Sequence, residues 1–251
     1  SEDLTGQSGG TYTVTLSDGN GCTISSTFVI AEPSALSVAD QITDVVCFGA
    51  LNGGIDLTVS GGTLPFTYAW DTGATSEDLA GLSGGTYTVT ITDANACTTI
   101  QTYFVFEPTQ LMVSFTQVDV SCNGLTDGSI DVSVLGGTVP YTYDWNIGTY
   151  TTEDLSGLAA GTYNLVVTDA NSCTAIATVT IIEPSALGLG GIVVDVSCNG
   201  IQDGSIDVSA SGGTLPYAYA WNTGATSEDL TGQSGGTYTV TLSDGNGCTI
   251  S

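Results

Sequence analysis

Residues 136–145 read GGTVPYTYDW, and the stretch returns as GGTLPFTYAW at 61–70 and as GGTLPYAYAW at 212–221. The steps are 75 and 76 residues. Self-similarity at a fixed period of this size marks a tandem array in which each unit is one supersecondary module. Residues 1–25, SEDLTGQSGGTYTVTLSDGNGCTIS, recur letter for letter as 227–251, an offset of 226 residues or three such units. The sequence therefore reads as a window on a longer array, opening and closing inside a unit. Glu-Pro marks the joints, at Glu32-Pro33, Glu107-Pro108 and Glu183-Pro184. The expected divisions are the C-terminal part of a repeat at 1–32, full repeats at 33–107 and 108–183, and a nearly full repeat at 184–251.

Working outward through the repeat at 108–183, every clear periodicity is that of a strand. Ser114, Thr116, Val118 and Val120 alternate with Val113, Phe115, Gln117 and Asp119, a period of two rich in β-branched residues. Asp127-Gly128 is a turn signal, matched by Asn52-Gly53 and Asp203-Gly204. Ile130 to Val134 is a second strand. Tyr141, Tyr143 and Trp145 share one face of a third, with one Trp per repeat (Trp70, Trp145, Trp221) placed for the centre of a sandwich. Tyr163, Leu165 and Val167 face inward on a later strand. The order Leu158-x-x-Gly161-x-Tyr163 resembles a tyrosine corner. A last strand runs from about Ala175 to Ile182. No segment has helical periodicity. The fold class is all-β: tandem immunoglobulin-like antiparallel β-sandwich repeats of about 75 residues in a linear array.

There is no Lys, Arg or His, and 26 acidic residues give a formal charge of −26. Polyphosphate backbones are bound through cationic side chains, so nucleic acid is excluded as a partner. Anionic membrane surfaces are excluded for the same reason. No carboxylate can find a side-chain cation, so each must be solvated, capped by backbone N–H groups or neutralised by a bound metal. The missing His and Lys also remove the usual base and nucleophile constellations, and the chain reads as non-catalytic. Seven cysteines without a CxxC pair suggest an oxidising, extracellular compartment rather than a zinc site. No apolar run of about 18 residues and no secretory leader is present.

Three motifs now stand together: CNGLTDGSIDV at 122–132, GGTVPYTYDW at 136–145 and GTYTVTITDANAC at 85–97. Together they resemble the SprB-type repeat, a module of giant cell-surface adhesins of Bacteroidota, among them adhesins of gliding cells. The resemblance implies surface display, secretion by the type IX route and adhesion, with no enzymatic activity. It further implies neighbouring repeats, surface glycans or other copies of the chain as partners. The repeat at 33–107 departs from the pattern, with Cys47-Phe48-Gly49 in place of Cys-Asn-Gly, and Asn52 and Gly54 in place of Asp and Ser.

Each repeat carries an early cysteine (Cys47, Cys122, Cys198) and a late one (Cys22, Cys97, Cys173, Cys248). In a sandwich of this topology the two lie at opposite poles, too far apart for the roughly 7 Å a disulfide spans between Cα atoms. Stacking the repeats head to tail pairs Cys47–Cys173 and Cys122–Cys248. Pairing within each repeat, as Cys47–Cys97, Cys122–Cys173 and Cys198–Cys248, is the alternative, and buried free thiols are a third reading.

The acidic residues offer several constellations. Asp119 and Asp131 are spaced so that pairing of Val120 with Ile130 would set them opposite each other, as would Asp44 with Asp56 and Asp195 with Asp207. Calcium could turn that repulsion into attraction, although two solvated carboxylates are the simpler reading. No other cofactor is implied. The loops at Asp18-Gly19-Asn20, Asp93-Ala94-Asn95, Asp169-Ala170-Asn171 and Asp244-Gly245-Asn246 read as turns, since Asp and Asn cap local N–H groups. Glu77-Asp78, Glu153-Asp154 and Glu228-Asp229 are adjacent pairs whose side chains would point to opposite faces of a strand. Thr86, Thr88 and Thr90, with Thr237, Thr239 and Thr241, form outward rows on a solvated face.

Overall fold

A computed structural model describes residues 3–146 and 149–251. Ser1 and Glu2, at the head of the 1–32 segment, lie outside the described residues. The chain divides into two compact units, residues 1–109 and 110–251. No helix occurs among the described residues.

The first unit opens with a two-stranded sheet, β1 (Gly10–Ser17) and β2 (Thr23–Ile30). A sandwich follows. Its strands are β3 (Ser37–Thr43), β4 (Gly53–Ser60), β5 (Thr67–Trp70), β6 (Leu79–Leu82), β7 (Gly85–Thr92) and β8 (Thr98–Val105). They form two three-stranded sheets, β3-β4-β6 and β5-β7-β8, all antiparallel. The second unit repeats the plan twice. In its first sandwich β9 (Met112–Val118), β10 (Gly128–Leu135) and β12 (Leu155–Leu158) oppose β11 (Thr142–Trp145), β13 (Gly161–Thr168) and β14 (Thr174–Ile181). In its second, β15 (Gly188–Val194), β16 (Gly204–Ser211) and β18 (Leu230–Gln233) oppose β17 (Ala218–Trp221), β19 (Val240–Ser243) and β20 (Thr249–Ile250). Strands one, two and four in one sheet and three, five and six in the other is the distribution of an immunoglobulin-like sandwich.

The period-two pattern decides which side chains enter the core. On β13, Leu165 and Val167 are buried while Asn164 and Val166 face out. Trp145 is fully enclosed among Val132, Leu155, Leu165 and Val179, with Trp70 and Trp221 in the equivalent places. A buried indole N–H must find an acceptor. Trp70, Trp145 and Trp221 donate to the carbonyls of Ser76, Thr152 and Ser227 at 2.9, 3.0 and 2.9 Å. The tyrosine corner is present in every repeat: Tyr12, Tyr87, Tyr163 and Tyr238 donate to the carbonyl four residues upstream at 2.8–2.9 Å.

The opening Gly-Gly has a steric cause. Gly61 and Gly212 adopt φ of 76° and 72°, and a Cβ on either would lie 2.0 Å from the carbonyl oxygen of Ala35 or Ala186. Only glycine lets the chain turn there while the inter-repeat segment passes over it.

One expectation fails. Val120 does not pair with Ile130. Ile130 faces Gln117 and Asp131 faces Thr116, so β9 ends at Val118 and residues 119–127 form a longer loop. Val120 turns inward instead, donating its N–H at 3.0 Å to Ile182 O, just past the end of β14. Burial of Val120, which is 3% exposed, wins over a tight hairpin. The repeat at 33–107 does the same, with Asp56 facing Gln41 and Val45 donating to Phe106 O.

Replacing Trp145 by Ala is expected to cost about 3–5 kcal/mol in the second unit, as for other aromatic truncations in a closed core. Chemical denaturation followed by circular dichroism reads this out. Gly61→Ala should lower the melting temperature of the first unit more than the same change at Gly73, where a Cβ meets open space.

Candidate functional site

The acidic residues are held by backbone amides. Asp93 and Asp244 lie in the tight loops after β7 and β19 and are 6% and 7% exposed. Oδ1 of Asp244 accepts the N–H groups of Asn246 and Cys248, and Oδ2 accepts that of Thr214. Asp93 holds Asn95, Cys97 and Thr63 in the same way. Burial works against ionisation of both, but the surrounding N–H donors outweigh it and hold each carboxyl below its ordinary value of 3.8. Asp169 makes the same three bonds, to Asn171, Cys173 and Thr138.

The adjacent Glu-Asp pairs divide between two tasks. Asp78, Asp154 and Asp229, each the residue just before β6, β12 or β18, accept the N–H of Leu57, Val132 and Val208 at 2.9, 2.9 and 2.8 Å. The glutamates lean on tyrosines. Burial first, and then the neighbouring Glu77, Glu153 or Glu228, pushes Tyr68, Tyr143 and Tyr219 up to about 12. Tyr219 donates directly to Glu228 Oε1 at 2.8 Å.

The proposed calcium pairs do not assemble. Asp119 accepts the N–H of Ile182 at 3.0 Å and Asp44 that of Phe106 at 2.8 Å. Asp131, Asp56 and Asp207 stand exposed on β10, β4 and β16, facing Thr116, Gln41 and Ile192. Asp195 follows β15 and lines a cleft beside Val194 and Gly204. Among the described residues no group of three or more His, Cys, Asp or Glu is gathered around a metal-sized space. The outward threonines serve the sheet itself: Thr88 and Thr102 hydrogen-bond across β7 and β8 at 3.2 Å.

What the second unit does bring together is a joint. Its two sandwiches meet at Glu183-Pro184, and there the loop after β9 closes on the loop after β19. Cys122 and Cys248 are joined with Cα atoms 5.7 Å apart. Asn246 Nδ2 donates to Ser121 O at 2.8 Å. Glu183 Oε2 accepts the N–H of Gly124 at 2.6 Å, and Asn123 Nδ2 donates to Pro184 O. Glu107 accepts from Gly49 likewise in the first unit. Sequence reading passed over these glutamates, although each Glu-Pro joint and each Cys-x-Gly loop recurs in step with the repeat.

The pairings within one repeat, Cys47–Cys97, Cys122–Cys173 and Cys198–Cys248, are not formed. Cys97 and Cys198 are exposed free thiols, as is Cys22. The reason is distance. The early loop lies beside Ile182, at the end of the sandwich where the eight-residue β13 begins, whereas Cys173 follows the other end of β13, roughly 26 Å away at the rise of a strand.

Three stretches of the chain, residues 39–75, 114–150 and 190–226, match the SprB repeat. No curated protein matches the chain. Solved structures give weak likenesses. The C-terminal 282-residue fragment of intimin, crystallised with the intimin-binding domain of its translocated receptor, is 14% identical, over 63% of this chain and 67% of that one, with a TM-score of 0.35. The N-terminal eight immunoglobulin domains of Down syndrome cell adhesion molecule are 12% identical over 96% of this chain, with a TM-score of 0.44, and the chain spans 38% of that structure. A tetra-tandem repeat from the extending region of a large adhesion protein is 16% identical, over 96% of this chain and 79% of that one, with a TM-score of 0.27.

Two pH limits follow. Carboxyls held below their ordinary value stabilise the fold above pH 3.8, and that stability is lost as the pH falls through the lowered values of Asp93 and Asp244. Tyrosines raised to about 12 stabilise it fully below pH 10, and that stability is lost as the pH rises from 10 toward 12. Melting temperatures across pH should therefore form a broad plateau with these two edges. Glu153→Gln should bring the ultraviolet titration of Tyr143 down toward pH 10.

Proposed function

We propose that this chain, which matches the SprB repeat three times, forms part of the shaft of a large extracellular surface adhesin, a non-catalytic spacer that carries adhesive regions away from the cell. The observation that supports this most directly is the clamp between the two sandwiches of the second unit. A short Pro-bearing linker already restricts the angles open to neighbouring domains. A disulfide, a buried-loop aspartate and the Asn246–Ser121 bond add to that restriction. Such fixtures serve reach and stiffness and have no use in a solitary binding pocket. The charge of −26 fits the same reading, since uniform acidity keeps an elongated surface solvated and self-repelling.

The aromatic residues favour a shaft over a repeated glycan-binding module. Trp70, Trp145 and Trp221 are enclosed in the cores and so cannot stack on a sugar ring. Display on a bacterial surface of the Bacteroidota type, export by the type IX route and service in gliding are what the SprB resemblance adds to this proposal.

Small-angle X-ray scattering tests it. An oxidised sample should give an elongated profile, and reduction should broaden the distance distribution as the joint loosens. A compact profile with a maximum dimension near that of one globular domain of this mass would overturn the shaft. Reduction should also lower the stability of the second unit. Opening a loop with a sequence separation of 126 removes as much as about 4.7 kcal/mol in the chain-entropy picture.

A further inference from the structure

The last sandwich has a vacant strand position. In the two others the sixth strand, β8 or β14, runs the full length of the fifth and buries two side chains against the opposite sheet: Tyr103 and Val105, or Val179 and Ile181, all 7% exposed or less. In the last sandwich β20 is two residues long, and β19 is correspondingly cut to four. A cavity of about 300 Å³ lies where the strand would pass, lined by Val193, Val196, Gly204, Ile206, Gly235 and Tyr238. Ile206 is only half-buried there, whereas its counterparts Ile55 and Ile130 are closed off.

The first unit carries a strand of the matching sequence with nothing to cover it. Every residue of β2, Thr23–Ile30, is exposed. Phe28 and Ile30, which stand where Tyr103 and Val105 stand one repeat later, are 59% and 42% exposed. Their inner face, with Leu4, Tyr12 and Val14, opens to solvent. Moreover, β1 (GTYTVTLS, 10–17) and residues 236–243 are identical.

We infer that the cavity of the last sandwich receives β2 of a second copy of this chain, joining molecules head to tail by strand exchange. Residues 236–243 replace β1 as the partner of β2, so every cross-strand pair is kept while Phe28 and Ile30 become buried. The cost in lost ladder bonds is therefore small and the gain is apolar burial. Three polar positions await the same strand. Asp195 takes the Ala31 N–H, as Asp44 takes that of Phe106 and Asp119 that of Ile182. Val196 donates to Ala31 O, as Val45 does to Phe106 O and Val120 to Ile182 O. Gly200 donates to Glu32, as Gly49 does to Glu107 and Gly124 to Glu183.

The free thiols give independent support. With β2 seated, the repeat at 33–107 of the second copy follows the last sandwich as that sandwich follows the one before it. Its Cys97 loop then meets the Cys198 loop, by the geometry already seen for Cys248 and Cys122. Both thiols are exposed, and their loops carry the same internal bonds as the joined pair: Asp93 to Asn95 and Cys97, and Ser197 to Asp203. A small-molecule disulfide such as oxidised glutathione completes the bond. One thiolate displaces glutathione thiol to give a mixed disulfide, and the second thiolate displaces the other. Two protein thiols are oxidised and one glutathione disulfide is reduced to two thiols.

The test uses the full chain incubated with oxidised glutathione over a range of concentrations, followed by non-reducing electrophoresis and peptide mapping. The expected result is a ladder of covalent multimers linked Cys97–Cys198, with isotopically mixed samples showing that the linked peptides come from different molecules. The double variant Phe28→Asp, Ile30→Asp should weaken association about a hundredfold or more, the loss of two buried apolar side chains. Both residues lie outside the three sandwiches, so unchanged Trp fluorescence will show that those remain folded. Cys198→Ser should remove the ladder but leave reversible association by sedimentation. A chain that stays monomeric, a Cys97–Cys198 bond within single molecules, or a ladder indifferent to Phe28→Asp, Ile30→Asp would each overturn the inference.

Discussion

A polypeptide with 26 carboxylates and no basic side chain must satisfy them with neutral donors, chiefly the backbone N–H group. Much of the observed architecture follows from satisfying that constraint. The late-loop aspartates Asp93, Asp169 and Asp244 each gather three amides, the aspartates of the Glu-Asp pairs accept an N–H from the neighbouring strand, and the joint glutamates hold the glycine of the early-cysteine loop. Charge-assisted bonds of this kind are shorter and stronger than neutral ones. They also fix loop conformation, which a flexible ion pair on the surface would do poorly. In this chain the acidic residues are the fasteners of the loops.

The fold was legible because its determinants are local. Alternation along 113–120, 130–134 and 163–167 is a direct record of which side chains enter the core, and one Trp per repeat locates its centre. The register after β9 was not legible. Whether Val120 pairs with Ile130 or turns inward depends on the space beneath it, which is set by Ile181 and Leu158 on distant strands. A turn signal at Asp127-Gly128 cannot report on that competition. The facing of Asp119 and Asp131 across the hairpin was lost with that register.

The cysteines show where simple topology goes further than motif reading. Proximity in sequence favours pairing inside each repeat, yet the length of one strand keeps those sulfurs apart. The glutamates of the joints were visible in the sequence only as partners of proline. Their second task, accepting a loop amide from Gly49 or Gly124, needs the distance across a folded sandwich and could not be read from spacing.

The disulfide at the joint also redirects tension. Tension applied outside Cys122 and Cys248 crosses the sulfur bridge instead of running through the polypeptide between them, a sequence separation of 126. The polypeptide between those cysteines, nearly all of both sandwiches, hangs as a slack side loop and bears almost no load. Load drawn across the joint thus bypasses both cores, like a rope whose knots are bridged by a sewn seam.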